Sequence, residues 1–506
     1  MSGIDIKEIQ KVYEKTKQLA RKEFKKKNYE LSLNHIQTAA DIAYAFNWKY
    51  TDEILEDLII SISNEIIGRQ DNIIAQKGKV VFYDVFALDN RGLTQQYIRA
   101  ILNLGMDLLF IFDGCNLLNS KQILSEINSY PQTELFIVDA SLNKVEKIKL
   151  TYEKIRSFKP EMAFLHLYPS SIVPLAVWNK FKEVKRYQIN LTDHAFWLGT
   201  KCIDYSIEFR DYGCTVSLEK RNLSNNQLLF QPFYPIIESQ NFEGFPLEIP
   251  EDSIKILTGG TFYKMYGKSN VFFELLKTLI EINPKVVILL VGSGDDTLIK
   301  QFINYNKYEN RLFLLGTRSD ISEVFKNSEI YLSTYPFSGG LMAQYAAVFE
   351  KPILAYTSED LECNFLEGLI NWKADRDFNI TCTSFDSFKT EAVKLIENKL
   401  YRHDKGLENK KLMITESEFE ENLKNLLAFN KPVVFKKRII DYVEFSNLYL
   451  ELENNYLKQF NSFIISRFKL SALVLFPKQF FLFLFSSSNI KFLMKRINTK
   501  FKKNRI

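Results

Sequence analysis

The sequence predicts an α/β protein in which two doubly wound parallel sheets face a cleft, with an all-α N-terminal module and a helical C-terminal tail. Residues 78–246 and 247–430 each alternate short apolar runs with helical stretches, which is the pattern of parallel sheets covered by helices. Apolar residues recur at helical spacing in residues 1–77, and residues 431–506 are again helical in pattern. A chain of 506 residues is long enough for this number of domains.

The N-terminal module, residues 1–77, is expected to hold three or four helices. The stretch IDIKEIQKVYEKTKQLARKEF has the periodicity of an amphipathic helix, and so does the segment from Leu31 to Ile67. Thr51-Asp52-Glu53 precedes ILEDLIISI and reads as a helix start. A single copy of such a module does not predict a solenoid.

The first sheet, in residues 78–246, is predicted from the apolar runs KVVFYDVFAL, MDLLFIFDG, TELFIVDA, MAFLHLY and KRYQINLTD. Polar residues at the turn after its first strand are expected at the cleft edge, because parallel strands bind ligands at their carboxyl ends. The candidate ligand-binding residues at this turn are Asp89, Asn90, Arg91 and Gly92.

Asp193 and His194 follow a later strand of the same half. A general base needs a pKa near the working pH and a place at the cleft, so His194 is the predicted catalytic base. Asp193 is expected to orient His194 or to be the base itself. His166, in LHLYPSS, nearly meets the same positional demand. A structural histidine and a ligand contact without proton transfer are the alternatives for His194.

The second sheet, in residues 247–430, is predicted from SIKILTGGTF, KVVILLVGSG, RLFLLG, IYLSTYPF and KPILAYT. Helix N-termini at the carboxyl edge of such a sheet can hold a diphosphate, and a nearby cation can neutralise it. The candidate donor-binding residues in these turns are Gly260, Lys264, Lys268, Gly292, Arg318, Ser338, Gly339, Gly340, Leu341 and Gln344. The glycines at 292–294 lack the third glycine of a dinucleotide fingerprint, which disfavours a dehydrogenase.

The order GSG, FLG, S-x-Y-P-x-x-G-G-L and KPIL resembles the C-terminal half of the GT-B glycosyltransferases, which use nucleotide sugars, over roughly residues 78–400. TFYKM with Lys264 is similar to the F-Y-K-I element of an inverting family that uses UDP-GlcNAc and includes bacterial protein glycosyltransferases. The resemblance implies two Rossmann-like domains and a contact between Lys264 and the donor diphosphate. It also implies that the first domain binds the acceptor, which makes Asp89, Asn90, Arg91 and Gly92 the candidate acceptor-side residues. It places Gly339 and Gly340 at a helix N-terminus that faces the phosphates, and it implies a UDP-sugar co-substrate with no obligatory metal.

The chain departs from this family at two positions. Retaining GT-B enzymes carry a pair of glutamates around the Gly-rich turn, where this chain has Phe337 and Tyr345. The acidic residue that usually binds the ribose would be Tyr345 or Gln344. These differences favour inversion, and they leave open a GT-B-like subunit without activity. Residues 375–377 form a DxD sequence in a late loop, and no metal site is predicted from it.

The tail, residues 431–506, contains the apolar segment LSALVLFPKQFFLFLF, which Lys469, Pro477 and Lys478 interrupt. No clean span of about 20 residues exists, so an in-plane amphipathic anchor is favoured over a transmembrane helix, with a buried helical hairpin as the alternative. Residues 454–506 hold 11 Lys or Arg and no acid, while the first 453 residues have a net charge of −6. The predicted partner of residues 460–506 is therefore an anionic membrane surface.

Together these observations predict a hexosyl- or N-acetylhexosaminyltransferase that acts on a glycan acceptor, free or lipid-linked, in bacterial capsule or O-antigen synthesis. A protein acceptor docked on residues 1–77 is the alternative. Five scattered cysteines without CxxC and a start without an apolar segment predict a cytoplasmic protein, peripheral on the inner face of the cytoplasmic membrane. The chain has no GxSxG, HExxH or Walker A motif, and its tail aromatics are interleaved with Leu and Ile, which disfavours nucleic acid as a partner. No feature of the sequence sets an oligomeric state.

Overall fold

The computed structural model describes residues 6–68, 73–91, 93–113, 117–238, 240–370, 378–452 and 454–485. These residues form a seven-stranded and a six-stranded parallel sheet with helices around them, which confirms the predicted fold class.

The N-terminal module consists of three helices: α1 Ile6–Lys25, α2 Tyr29–Phe46 and α3 Glu53–Ile67. Asp52 starts α3 as predicted, because its carboxylate accepts a hydrogen bond from the Leu55 amide at 3.1 Å. The same carboxylate accepts the Tyr13 hydroxyl at 2.6 Å and the Lys17 ammonium at 2.8 Å, which ties α1 to α3. The apolar faces of the module belong to the same core as one face of the first sheet.

The first sheet has the strand order β3-β2-β1-β4-β5-β6-β7. Its strands are β1 Lys79–Asp84, β2 Asp107–Phe112, β3 Thr133–Ile137, β4 Met162–His166, β5 Lys185–Ile189, β6 Tyr205–Glu208 and β7 Leu228–Phe230. Its helices are α4 Thr94–Asn103, α5 Lys121–Asn128, α6 Lys144–Phe158, α7 Ile172–Trp178 and α8 Asp211–Lys220. The central strand β1 carries the loop with the predicted acceptor-side residues at its carboxyl end.

The second sheet has the strand order β10-β9-β8-β11-β12-β13. Its strands are β8 Ile254–Thr261, β9 Val286–Ser293, β10 Leu312–Gly316, β11 Ile330–Leu332, β12 Ile353–Tyr356 and β13 Thr381–Cys382. Its helices are α9 Val271–Ile282, α10 Thr297–Asn306, α11 Ile321–Lys326, α12 Gly340–Val348, α13 Glu367–Ile370, α14 Phe385–Glu397 and α15 Lys399–Leu412.

A helix that the sequence assigns to the second domain, α16 Glu416–Phe429, packs against the first sheet. The Phe419 ring lies 5.2 Å from the Tyr97 ring and 5.6 Å from the Tyr234 ring. Residues 416–429 therefore cross back to the first domain, because their apolar face completes its core. The span 247–430, which the sequence assigns to the second domain, therefore includes a helix that packs on the first domain.

The tail forms α17 Tyr442–Leu452, α18 Asn454–Phe468, α19 Ala472–Leu475 and α20 Pro477–Leu484. Phe460, Ile464 and Phe468 are buried against the N-terminal module, while Leu470, Val474 and others nearby are exposed. The described part of the predicted membrane segment thus has a packed face and a solvent face, and residues 486–506 lie outside the described residues. Within the described chain, no single helix is long and apolar enough to cross a membrane. One pair, Phe460–Leu475 and Pro477–Leu484, meets that test jointly but is bent by 117°.

Candidate active site

A cavity of about 530 Å³ lies between the two sheets, at the carboxyl ends of β1, β8, β9 and β10. The first domain contributes the loop after β1, and the second contributes the loops after three strands and the start of α12. Its lining is Asp89, Asn90, Arg91, Glu238, Gln240, Gly260, Thr261, Lys264, Val291, Gly292, Ser293, Thr317, Arg318, Ser319, Asp320, Ile321, Ser322, Leu341, Met342 and Tyr345. The strand ends thus bring predicted donor-side and acceptor-side residues together.

Lys264 extends into this cavity from a short 3₁₀ helix, Phe262–Met265, that directly follows β8. Its ammonium donates to the Ser338 carbonyl at 3.4 Å. Burial lowers the pKa of Lys264, and no charged group among the described residues shifts that pKa in the opposite direction. A partly desolvated cation without a carboxylate partner favours an anion that would neutralise it.

Gly260 and Gly292 stand opposite each other in the β8–β9 register. Their φ angles are +135° and +136°, a backbone conformation that favours glycine. A Cβ on Gly292 would lie 1.9 Å from the Gly260 carbonyl oxygen, whereas a Cβ on Gly260 would have no atom within 4 Å. The two glycines therefore allow a close strand approach and leave bare backbone beside the cavity.

The Gly-rich turn starts α12, as the sequence predicts, with Gly339 in the position before the first helical residue, Gly340. Leu341 lines the cavity, but Ser338, Gly339 and Gly340 are not among the lining residues. The Ser338 amide donates to the Asn364 side chain at 3.0 Å, and a Cβ on Gly340 would lie 3.1 Å from the Leu369 side chain. A substitution at Gly340 would therefore disturb packing against α13 first.

Two further predicted donor residues, Lys268 and Gln344, also lie outside the cavity lining, and their side chains have other partners. The Lys268 ammonium is 3.1 Å from an Asp360 carboxylate oxygen and also bonds Glu444 of α17, so its charge is already neutralised. The Gln344 side chain is buried and donates to the carbonyls of Phe233 and Leu369 at 3.0 and 2.9 Å. Both side chains hold the tertiary structure together.

Arg318 lines the cavity, but its guanidinium is paired. It donates to both carboxylate oxygens of Asp320, at 2.7 and 2.6 Å, and to the Gly244 carbonyl at 2.8 Å. These bonds raise the pKa of Arg318 and lower that of Asp320. Arg318 therefore fixes the loop after β10 and carries little unpaired charge toward a ligand.

The acceptor-side loop is held by its own residues. Asp89 accepts hydrogen bonds from the amides of Gln122 and Ile123, each at 3.0 Å, at the start of α5. The Asn90 amide donates to the Gln95 side chain at 2.6 Å. These bonds present the 89–91 segment to the cavity, and Gly92 lies outside the described residues.

His194 and Asp193 form a hydrogen-bonded pair, with 3.1 Å between His194 Nδ1 and an Asp193 oxygen. The Asp193 side chain is only 1% exposed, and Arg210 donates to both its oxygens at 2.5 and 2.9 Å. Burial alone would raise the pKa of Asp193, but Arg210 and the His194 bond outweigh it and hold that pKa well below its usual range. Such a carboxylate is a poor proton acceptor, and its bond to His194 fits the predicted orienting role.

The His194 ring is outside the cavity lining. It is 34% exposed, and it packs against two α17 rings, with centroids 6.4 Å away for Phe445 and 6.3 Å for Tyr449. Phe337 lies 5.5 Å from Tyr449, and its amide donates to the Lys264 carbonyl at 3.3 Å. A layer of aromatic rings thus separates His194 from the Lys264 loop.

A second histidine–carboxylate pair occurs at the ends of adjacent strands. Asp84 and His166 are register partners at the carboxyl ends of β1 and β4, with His166 Nδ1 3.1 Å from an Asp84 oxygen. The His166 ring is fully buried, its Nε2 has no hydrogen-bond partner among the described residues, and the Phe86 ring lies over it at 4.6 Å. Both residues of this pair lie in the apolar runs that predict β1 and β4, so the sequence indicates that each stands in a strand, and the two strands are neighbours. The sequence analysis names only His166 as a candidate.

Within the described residues, no group of three or more His, Cys, Asp or Glu side chains is placed to hold a metal ion. Residues 371–377, which include the DxD sequence, lie outside the described residues. The absence of an obligatory metal stays a prediction.

No family model matches the chain, and no curated protein sequence matches it. Solved structures do match. An O-GlcNAc transferase mutant from Thermobaculum terrenum aligns with a TM-score of 0.50 at 10% identity, over 87% of this chain and 83% of that one. HepE (Alr3699) from Anabaena, solved in complex with UDP, aligns with a TM-score of 0.50 at 13% identity, over 69% of this chain and 99% of that one.

At these identities the likeness concerns the fold. This likeness in fold, together with the two parallel sheets, agrees with the resemblance in the sequence. The chain therefore has the GT-B fold.

Proposed function

We propose that the protein is a glycosyltransferase that moves a sugar from a UDP-sugar to a hydroxyl of a glycan acceptor, free or lipid-linked, in bacterial surface polysaccharide synthesis. The observation that carries the proposal is Lys264, a half-buried cation without a carboxylate partner among the described residues, in the cavity between two GT-B domains. A volume of about 530 Å³ is in the range of small-molecule sites.

Lys264 has the role of stabilising the diphosphate as the bond to the sugar breaks. Negative charge develops on the leaving oxygen, and a cation that is fixed and partly desolvated stabilises it more than water would. The bare backbone at Gly260 lets the phosphates approach without meeting a side chain. The site therefore provides charge stabilisation from the protein itself.

His194 remains our proposed base for the acceptor hydroxyl. Its Nδ1 faces Asp193, so a proton held on Nδ1 would leave Nε2 to accept the acceptor proton. Asp193, compensated by Arg210, would then stabilise the imidazolium. Because His194 lies outside the cavity lining, this step requires an acceptor that enters beside α17 or a closer approach of the two domains. Phe337 and Tyr345 supply no carboxylate nucleophile, which supports inversion.

The decisive experiment first measures thermal unfolding with UDP, GDP and dTDP. Transfer assays then use sugar donors that carry the nucleotide that stabilises the protein. A ligand at about a hundredfold over its Kd raises the unfolding free energy by about 2.7 kcal/mol. We expect UDP to stabilise the protein most. Absence of stabilisation by every nucleotide would contradict the proposal, and nucleotide binding without any transfer would favour the inactive GT-B-like subunit.

A protein acceptor is the second candidate. The alignment with the O-GlcNAc transferase covers 87% of the chain, against 69% for HepE, so it extends beyond the two sheets. This wider coverage agrees with a functional role for the parts of the chain outside the two sheets, such as a polypeptide acceptor docked on α1–α3. Incubation with UDP-GlcNAc and a candidate polypeptide, read by intact mass, tests it, because only a protein acceptor gains the mass of one sugar.

We also propose that the protein is cytoplasmic and bound to the inner face of the cytoplasmic membrane through residues 460–506. The support is the solvent face of the tail, which carries exposed apolar side chains at Leu470 and Val474, and the absence of acids from residue 454 onward.

A further inference from the structure

The solvent face of α1 is strongly basic. Residues 7–27 hold nine Lys or Arg and three Glu. Lys11, Lys15, Lys22 and Lys25 are spaced by multiples of a helical turn, so they share one face, and Arg21 lies beside them. All five are exposed. They are called the basic face of α1 below.

The acids of α1 do not neutralise this face, because each has another lysine as its partner. The pairs are Glu8 with Lys478 at 2.8 Å, Glu14 with Lys17 at 3.3 Å, and Glu23 with Lys26 at 2.8 Å. The positive charge of the basic face is therefore left for a ligand from outside the chain.

The C-terminal tail lies directly against this helix. The Lys15 ammonium donates to the Leu475 carbonyl and sits 5.2 Å above the Phe476 ring. Lys478 is 2.8 Å from Glu8, which lies in the first turn of α1. The two ends of the chain thus form one surface, although more than 440 residues separate them in sequence.

Beside this contact the tail exposes large apolar side chains. Leu470 is 83% exposed, Val474 79% and Phe485 72%, and Leu473, Phe481 and Leu482 are each about half exposed. They are called the apolar tip below. A group of large apolar side chains in solvent marks an interaction site.

We propose that the basic face of α1 and the apolar tip together bind an anionic phospholipid bilayer. The tip would insert among the acyl chains, and the α1 cations would lie at the headgroups, as in interfacial helices with one apolar and one basic side. Seven further basic residues and no acid follow in residues 486–506. The inference rests on the membrane association proposed for the tail and adds the opposite end of the chain to it.

The test is sedimentation of the full-length protein with vesicles of phosphatidylcholine alone or mixed with phosphatidylglycerol. One variant carries Lys11→Gln, Arg21→Gln, Lys22→Gln and Lys25→Gln, which keep helix propensity. The matched control carries Lys389→Gln, Lys399→Gln, Lys411→Gln and Lys424→Gln, four exposed lysines on α14–α16. We expect the α1 variant to lose about tenfold or more in affinity for anionic vesicles and the control less than about twofold.

A second variant, Leu470→Ser with Val474→Ser, tests the apolar tip. Wild-type binding should persist in part at high salt, which screens charge but not apolar insertion, and this variant should lose that salt-resistant part. Equal losses for the α1 variant and its control, or equal binding to neutral vesicles, would overturn the role of α1.

UDP affinity, measured on the same samples, separates this inference from the proposed reaction. A wild-type protein that binds UDP but no vesicle would overturn the membrane surface and leave the glycosyltransferase proposal intact. Tighter binding to a single-stranded oligonucleotide than to anionic vesicles would reassign the basic face to nucleic acid. Melting temperatures equal to wild type show that the variants are folded.

Discussion

Lys264 and Lys268 lie four residues apart, and their surroundings give them different roles. Lys264 faces the cavity, whereas Lys268 is bonded to Asp360 and Glu444. We expect Lys264→Ala to lower turnover by about 10²–10³, the scale for removing one group that stabilises developing charge. Lys268→Ala is the control and should leave UDP affinity nearly unchanged. Steady-state transfer rates and UDP titrations check both, and equal effects would remove Lys264 from the donor site.

The lowered pKa of Lys264 gives UDP binding a dependence on pH. In the free protein burial favours the neutral amine, whereas a bound diphosphate would favour the ammonium, so binding raises the pKa of Lys264. UDP affinity should not change with pH below the lowered pKa that Lys264 has in the free protein. It should fall as the pH rises through that pKa. This alkaline fall should occur below the ordinary lysine range and be absent in Lys264→Ala. Titration calorimetry across alkaline pH measures it.

The two histidines can be separated by their environments. His194→Ala should lower kcat by about 10²–10⁴ with UDP affinity kept, as expected for loss of general-base help. His166→Ala is the comparison, because His166 also pairs with a carboxylate but is buried beneath Phe86. A large loss of kcat in His166→Ala, with activity kept in His194→Ala, would transfer the role to His166. The acidic limb of the pH–rate profile should vanish only in the variant that lacks the base.

The positions of residues relative to the cavity can be predicted from the sequence where strand topology alone decides them. Glycines at strand ends and a lysine after β8 lie at the cavity because parallel strands end at one edge. The sequence could not show that Arg318 is paired by Asp320, that Lys268 is paired by residues 92 and 176 positions away, or that Arg210 holds Asp193. Those partners depend on tertiary packing.

Among the elements, strands that lie in apolar runs are predicted from the sequence, even where the strand itself is as short as β11 or β12. The strands β6, β7 and β13 have four, three and two residues, and the sequence analysis predicts none of them. The helix α16 lies within the span 247–430 that the sequence assigns to the second domain, and the sequence does not show which sheet it covers. Only the contact of Phe419 with Tyr97 and Tyr234 shows that it returns to the first domain.

The crossing of α16 is expected to stabilise the first domain. Phe419 is fully buried, so Phe419→Ala should cost about 3–5 kcal/mol through lost burial and the cavity that remains. Phe429→Ala, on the same helix, is the control, because Phe429 is 74% exposed and its loss should cost less than about 0.5 kcal/mol. Denaturant unfolding, followed by tryptophan fluorescence, measures both. Equal midpoints would show that α16 contributes little to that core.

The tail connects the N-terminal module to the second domain. Its α17 packs on the second domain through the Lys268–Glu444 bond and on the module through a Ser446 hydroxyl that donates to the Asn47 carbonyl at 3.0 Å. The following helix places Phe460 5.6 Å from Phe46. The segment therefore has one face packed on the module, as in the hairpin alternative, and one exposed apolar face, which is the face that we propose inserts into a membrane.

This arrangement predicts different results for two truncations. Removing residues 486–506 takes away seven cations and leaves the packed helices in place, so residues 1–485 should melt like the full chain and bind anionic vesicles with lower affinity and a weaker salt dependence. Removing residues 460–506 also takes away Phe460, Ile464 and Phe468, which are buried against α1–α3. Each such side chain contributes about 1.5–3 kcal/mol, so residues 1–459 should melt lower and expose the apolar module. If residues 1–459 melt like the full chain, the hairpin is not part of the core, and the loss of vesicle binding in that truncation would report on the anchor alone.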